Sequence, residues 1–577
     1  MSACVIGLVL ALGAGCLCAA EPPLSSSNLS PPPGTLFICG GGKLPDPALL
    51  RFVEMAGGER AHLVVITTAS ETADSAEVDF RIDFWKKARM AEMTVLHTRS
   101  RDVADDPEFY RPLTTATAVW FIGGHQNRLT DAYQGTKTEQ AIREVLGRGG
   151  IVGGTSAGAA VMSPVMILGG NPRADIGEGF GFLPGTVVDQ HFLKRKRQDR
   201  LVNVLTAHPK LVGVGIDEGT ALVVQGRKMW VLRESESNVV AYLAPVDGKP
   251  ARTMTLTPGD EMDLVALRRA AHARLQPRWR FDDEQPDPVV SHGTLVLVGG
   301  GEIPTEAASR FIAAAGGPDA PIVVVSTADG DQPPPEAEAL GWLAAAGARN
   351  LRRLHARTPQ EAESPEVLNC LQQADGVWFT GGRQWRLVDA YADTAAERLL
   401  EEVLKRGGAV GGSAAGASIL AAYLVRGNPL GNRQMMADGY EEGFGLLPGA
   451  ALDPYFTQRN RLADMLELKR AYPHLIGLGL DESTAIVIQG PELEVLGKNR
   501  LSVFHGQSPL DEELAAYDVL LSGDRYDLRR RRRLGRDDDA SQEVILASAP
   551  SSEPDGDEED AISEAEDPQP QPALVCE

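Results

Sequence analysis

Ile151, Val152, Gly153, Gly154, Thr155, Ser156, Ala157, Gly158: two apolar residues run into small ones, with GxSxG spacing from Gly154 to Gly158. The stretch reads as a strand, a tight turn and a helix over residues 157–162. A turn of this kind holds one serine in a strained, exposed pose, and the flanking glycines remove Cβ atoms that would collide in it. The unpaired amides at the start of the helix face the same spot, where they would stabilise negative charge on a substrate oxygen. Ala157 and Gly124 are the backbone donors expected there. Taken alone, the motif reads equally well as a Gly–Ser turn packed on a helix.

Working outward, strand-like runs alternate with amphipathic helical ones. Strands are expected at 36–39, 62–68, 94–97, 116–122 and 151–153, with helices at 47–55, 76–89 and 138–146 between them. Nearly continuous apolar strands in βαβα order argue for a parallel sheet covered by helices on both faces. Ligands gather at the carboxyl ends of such strands. Glycine clusters stand at those ends, at Gly40–Gly42, Gly123–Gly124 and Gly153–Gly154.

The pattern then returns. Thr35 to Gly42 (TLFICGGG) reappears as Thr294 to Gly301 (TLVLVGGG), Val119 to Gly124 (VWFIGG) as Val377 to Gly382 (VWFTGG), and Glu178 to Gly181 (EGFG) as Glu442 to Gly445. A fixed long period marks a duplication. The offset is 258 at the elbow (Ser156 to Ala414) and 264 further on (His191 to Tyr455), the difference falling in a longer loop around Gly431 to Gly439. Two tandem α/β domains are therefore expected, over 35–275 and 292–528, with a Pro-containing linker at 276–291.

The 577 residues carry a formal charge of −23, with 79 acidic against 56 basic side chains, which argues against a nucleic-acid partner. An apolar run from Val5 to Leu12 and small residues before Ala20 suggest an export signal over 1–20, with Cys16 as an alternative lipid anchor and 21–34 as a flexible lead-in. No later run has the length of a membrane span. Of six cysteines only Cys39 and Cys370 fall in expected domains, and no spacing suggests a metal site. The glycine clusters lack a dinucleotide fingerprint, so no cofactor is expected. After five arginines, Arg529–Arg533, comes a tail with 14 Asp and Glu and no Lys or Arg beyond Arg536. Residues 529–577 are expected to be disordered, the arginine run being a solvated patch neutralised by that tail.

A serine hydroxyl is a poor nucleophile until an imidazole takes its proton and a carboxylate orients that imidazole. Downstream of Ser156, His191 in Asp189-Gln190-His191-Phe192 is the base candidate, and Asp217 and Glu218 after the strand 212–216 are the acid candidates. The set Gly153 to Ala159, Asp189 to Phe192, Arg195, Arg197, Arg200 and Glu218 resembles the cyanophycinase and aspartyl dipeptidase family of serine peptidases. The resemblance implies a flavodoxin-like fold similar to class I glutamine amidotransferases, with a serine at the elbow. It further implies Ser156 as nucleophile, His191 as base and Glu218 rather than Asp217 as orienting acid. Gln126, Asp189, Gln190, Arg195, Arg197 and Arg200 match its substrate-binding positions. The implied substrate is cyanophycin, a poly-aspartate carrying arginine on each β-carboxyl, or a shorter aspartyl or β-aspartyl dipeptide. Its guanidinium groups would suit Asp189, Gln190 and Gln126, and its carboxylates the three arginines.

In the second repeat Ala414 stands at the Ser156 position, Tyr455 at that of His191 and Asp464 at that of Arg200, while Gln384, Arg459, Arg461 and Glu482 are kept. This repeat reads as a degenerate site in a pseudoenzyme domain, either standing in for a second subunit in an intramolecular pseudo-dimer or holding polymer without cutting it. The reading from another class is a secreted binding protein without catalysis.

Overall fold

The computed structural model describes residues 31–75, 79–246, 249–275, 281, 285–505 and 517–535. The expected export signal, the Cys16 anchor and the acidic tail beyond residue 535 lie outside the described residues. Among those described, no helix is long and apolar enough to cross a membrane.

The first repeat supplies β1 (Thr35–Cys39), β2 (His62–Ile66), β3 (Glu92–Leu96), β4 (Ala118–Phe121), β5 (Ile151–Thr155), β6 (Val165–Gly169), β7 (Asp175–Glu178), β8 (Thr186–Gln190), β9 (Val212–Ile216), β10 (Ala221–Gln225), β11 (Lys228–Val231), β12 (Val239–Leu243), β13 (Arg252–Leu256) and β14 (Glu261–Asp263). Strands β3-β2-β4-β5-β1 form the expected parallel array, with β5 between β4 and β1. Three antiparallel strands, β10, β11 and β14, extend it past β1. A separate sheet, β13-β12-β9-β8, was not expected as such; its β8 and β9 run parallel, with Gln190 opposite Ile216.

Local chemistry sets the element ends. Thr136 accepts from Glu139 N–H while the Glu139 carboxylate accepts from Gly135 N–H at 2.6 Å, opening the helix Lys137–Gly147. Thr394 and Glu397 repeat this before the helix Ala395–Lys405. One face of the first sheet is filled by Phe37, Phe52, Trp85 and Trp120 at centroid separations of 4.9–6.2 Å, and the second repeat reproduces the cluster with Phe311, Trp342 and Trp378. The helix after the elbow is shorter than expected, Ala157–Ala160, because Ser163 and Pro164 follow closely and proline cannot continue it.

The second repeat runs β15 (Val290–Val298), β16 (Ile322–Val325), β17 (Leu351–Leu354), β18 (Gly376–Phe379), β19 (Ala409–Ser413), β20 (Ala421–Tyr423), β21 (Leu447–Pro454), β22 (Ile476–Leu480), β23 (Thr484–Gly490), β24 (Glu492–Gly497), β25 (Arg500–Phe504), β26 (Asp518–Leu521), β27 (Arg525–Asp527) and β28 (Arg532–Leu534). Its main sheet, β17-β16-β18-β19-β15-β23-β24-β27-β28, keeps the order of the first. Two expected limits move: β15 begins at Val290, and order continues past Leu528, because β28 pairs with β27. Among the described residues the arginine run is held by the domain itself: Arg529 pairs with Asp287, Arg530 with Asp527 and Arg533 with Asp518, while Arg531 donates to the His505 and His474 carbonyls.

The repeats meet at a buried ionic cluster. Arg227, in the β10–β11 turn, grips Asp263 and reaches across to Asp389 at 2.9 Å and Tyr440 Oη at 3.0 Å. Arg269 reaches Asp389 at 2.7 Å, and Arg252 pairs with Asp438. The longer loop of the second repeat thus carries part of the contact.

Candidate active site

Three strand ends build the site. Just past β5 comes Ser156, whose φ of 54° and ψ of −107° put it in a strained turn. β8 and β9 are neighbours in parallel register, so the residues just past their carboxyl ends, His191 and the pair Asp217–Glu218, emerge side by side. Ser156 Oγ–H donates to His191 Nε2 at 2.9 Å, and His191 Nδ1–H donates to Glu218 Oε1 at 2.6 Å. Asp217 turns elsewhere: its carboxylate accepts from Lys194 N–H at 2.9 Å and from Ser237.

The loop after β1 is threaded through this cluster. Ser156 N–H donates to Cys39 O, His191 N–H to Gly40 O, and Gly219 N–H to Gly41 O. A Cβ on Gly41, which has a φ of 102°, would run into the His191 ring. The first glycine cluster is therefore the bed of the imidazole, a role spacing alone did not reveal.

Burial lowers the His191 pKa from its ordinary value, and the charges of Arg195 and Arg197 push the same way, against the bond to Glu218. Burial and the two arginines thus disfavour the imidazolium. Ala157 opens a helix, so its N–H has no intrahelical acceptor. Gly123 lies beside the nucleophile, its Cβ position 3.3 Å from that of Ser156, which brings the Gly124 peptide to the same cleft.

The remaining expected residues divide into two sets. Arg195 is exposed. Arg197 donates to Gln190 Oε1 at 2.9 Å and to the Gln190 carbonyl at 2.6 Å. Gln126 is 9% exposed and donates to the Ile167 and Leu168 carbonyls at 2.6 and 3.0 Å, pinning the β6–β7 hairpin. Asp189 is fully buried and held by Arg200, whose Nε reaches Oδ2 at 2.6 Å, and by Arg197. Asp189 and Arg200 are placed beneath the cleft as an ion pair, because each satisfies the other's charge. Arg200 also donates to Gly170 O at the hairpin turn.

The second repeat keeps the frame with Ala414 and Tyr455 at the positions of Ser156 and His191. Ala414 holds a φ of 49° and a ψ of −114°, nearly those of Ser156. The Tyr455 ring lies against Gly300 as His191 lies against Gly41, and its hydroxyl accepts from Gly301 N–H at 3.0 Å. Glu482 N–H donates to Gln458 Oε1. Beneath, Asp453 is again buried and paired, but its second guanidinium comes from Arg426 in the loop after β20, and Asp464 on the helix binds that arginine too. The ion cluster is preserved in space with its partners exchanged along the chain.

The family model of peptidase family S51 matches this chain twice, over residues 36–232 and 295–496. A cyanophycinase of Geminocystis herdmanii is 36% identical over 185 residues, 31% of this chain and 68% of the relative. One of Synechococcus elongatus is 35% identical over 185 residues, spanning 31% of this chain and 57% of the relative. One of Trichormus variabilis is 33% identical over 209 residues, 34% of this chain and 69% of the relative. Among solved structures, a peptidase from an acI-B1 actinobacterium aligns at 22% identity and a TM-score of 0.33, covering 43% of this chain and all of that one.

Proposed function

Because the chain belongs to peptidase family S51, we propose that it is an exported serine-type peptidase whose first repeat hydrolyses cyanophycin to β-Asp-Arg dipeptides. The observation that carries this reading is the unbroken hydrogen-bonded path Ser156–His191–Glu218, with the exposed Arg195 near enough for its charge to act on His191. Similarity to cyanophycinases supports the substrate, and the first twenty residues support export.

Ser156 Oγ attacks the carbonyl carbon of a main-chain aspartyl peptide bond as its proton passes to His191 Nε2. Glu218 holds the imidazole in the tautomer that can accept it. Charge gathered on the carbonyl oxygen is met by the Ala157 and Gly124 amides. The tetrahedral intermediate collapses, His191 returns the proton to the leaving nitrogen, and an ester to Ser156 remains. Water, deprotonated by His191, attacks that ester and releases the carboxylate product and the serine. Arg195 engages a carboxylate of the substrate, while Asp189, Arg200 and Gln126 hold the cleft in shape.

The second repeat, with Ala414 and Tyr455, is a pseudoenzyme that serves the first as a built-in companion subunit. Incubating the full chain with insoluble cyanophycin and, separately, with aspartyl dipeptides tests the reading by mass analysis of the products. Release of β-Asp-Arg from polymer is expected. Cleavage of dipeptides with none from polymer would replace the substrate assignment with that of a dipeptidase.

A further inference from the structure

The contact between the repeats is one-sided. The first repeat contributes a cationic knob, Arg227 anchored on its own Asp263. The second contributes a socket in which Asp389 receives that arginine and Trp385 lies under it at 3.9 Å from the ring centroid. Asp389 is only 16% exposed in consequence.

Duplication means that each repeat carries the counterpart of the other's surface. Counting from Gln126 and Gln384, Asp131 stands at the Asp389 position and Asn127 at that of Trp385; both are exposed. Counted back from the shared EGFG stretch, Ile176 falls near the Tyr440 position, and it is 45% exposed; Leu168, on the same hairpin, is 41% exposed. On the other side, β24 and β27 pair Glu492 with Asp527 as β11 and β14 pair Lys228 with Asp263, so Asp527 corresponds to Asp263. Pro491 has replaced Arg227, but Arg530 supplies the guanidinium. Its N–H and Nη1 reach the two Asp527 oxygens at 2.9 and 3.3 Å, while its side chain stays 68% exposed. This is the same knob, anchored on a buried carboxylate and turned outward.

Every chain thus shows one occupied knob and socket between its repeats, and one knob and one socket that do not meet among the described residues. Such a contact is heterologous, and its unused halves fit another copy. We propose that chains associate head to tail, Arg530 of one chain entering the surface around Asp131 of a second, with Ile176 and Leu168 as the apolar part of the contact. The pairing is electrostatic at its rim, so it is steered by charge and weakened by salt. Without the stacking indole of Trp385 it is weaker than the contact within the chain.

Sedimentation of the full chain, from micromolar to several hundred micromolar, tests this at low and high salt. The expected result is a mass that rises above the monomer with concentration and falls with salt. Asp131→Arg and Arg530→Asp should each weaken association about tenfold or more. Mixing the two variants should restore it, since each then offers the charge the other lacks. Unchanged hydrolysis by both variants checks that they remain folded. A chain monomeric throughout, or association indifferent to both substitutions, overturns the proposal.

Discussion

Ser156, His191 and Glu218 lie on one hydrogen-bonded path, so under the proposed function removing any of them should cost nearly the whole rate. Ser156→Ala and His191→Ala are each expected to lower kcat by about 10⁴-fold or more, with little effect on folding. Glu218→Gln, which keeps the shape but loses the charge behind the imidazolium, should lower it by about 10⁴-fold. Rates of dipeptide release with thermal unfolding as a control would check both. The lowered His191 pKa sets the pH profile. The base works only when unprotonated, so activity is retained as pH falls past the ordinary histidine value and lost only below it. Arg195→Gln removes one of the charges that disfavours the imidazolium. It should raise the pKa and move the acid limb of kcat/KM to higher pH; an unmoved limb would show that Arg195 acts on substrate alone. At this scale the sequence carried the residue types of the triad. It did not carry the pairing of Asp189 with Arg200, since two opposite charges eleven residues apart read as readily as two ligands for substrate. Nor did alternation along β9 choose between Asp217 and Glu218, because the strand ends at Ile216 and the turn decides.

The elements place the triad by bringing two sheets together at their carboxyl ends, β5 from one and β8 with β9 from the other. The parallel strands of the large sheet were legible because each is an apolar run flanked by an amphipathic helix. The small sheet was not, since β12 and β13 pair with each other but dock on β9 only after the chain has left for the large sheet through β10 and β11. Beneath the cleft, the Asp189–Arg200 pair ties β8 to the β6–β7 hairpin. Asp189→Asn leaves a buried guanidinium without its carboxylate and should destabilise the protein by about 3–5 kcal/mol, read by denaturant unfolding. An effect below about 1 kcal/mol would mean that water reaches the pair. The exchange of partners around Asp453 indicates that the buried carboxylate matters to the frame in both repeats.

Over the whole molecule, duplication has left one frame with Ser156 and His191 and one with Ala414 and Tyr455 in their places. The strained backbone at Ala414 is held by the fold alone, so a hydroxyl there should not suffice. In a Ser156→Ala background, Ala414→Ser is expected to give no hydrolysis, because Tyr455 puts no imidazole beside it to take the hydroxyl proton. Recovered hydrolysis by this variant would show that the second repeat has kept a working base. The repeats are joined through Asp389, which receives both Arg227 and Arg269. Asp389→Ala leaves Arg227 with its own Asp263 and Arg269 without this carboxylate, and should split a single thermal transition into two, one for each repeat. The duplication and its loop difference were plain in the sequence, but that Gly431 to Gly439 leads into the contact was not, since nothing in its composition names a partner. The central claim, one working serine in the first of two repeats, is tested most directly by comparing β-Asp-Arg release from cyanophycin by the wild type and by Ser156→Ala. Dipeptide from the wild type and none from the variant is the expected result; equal release by both would contradict it.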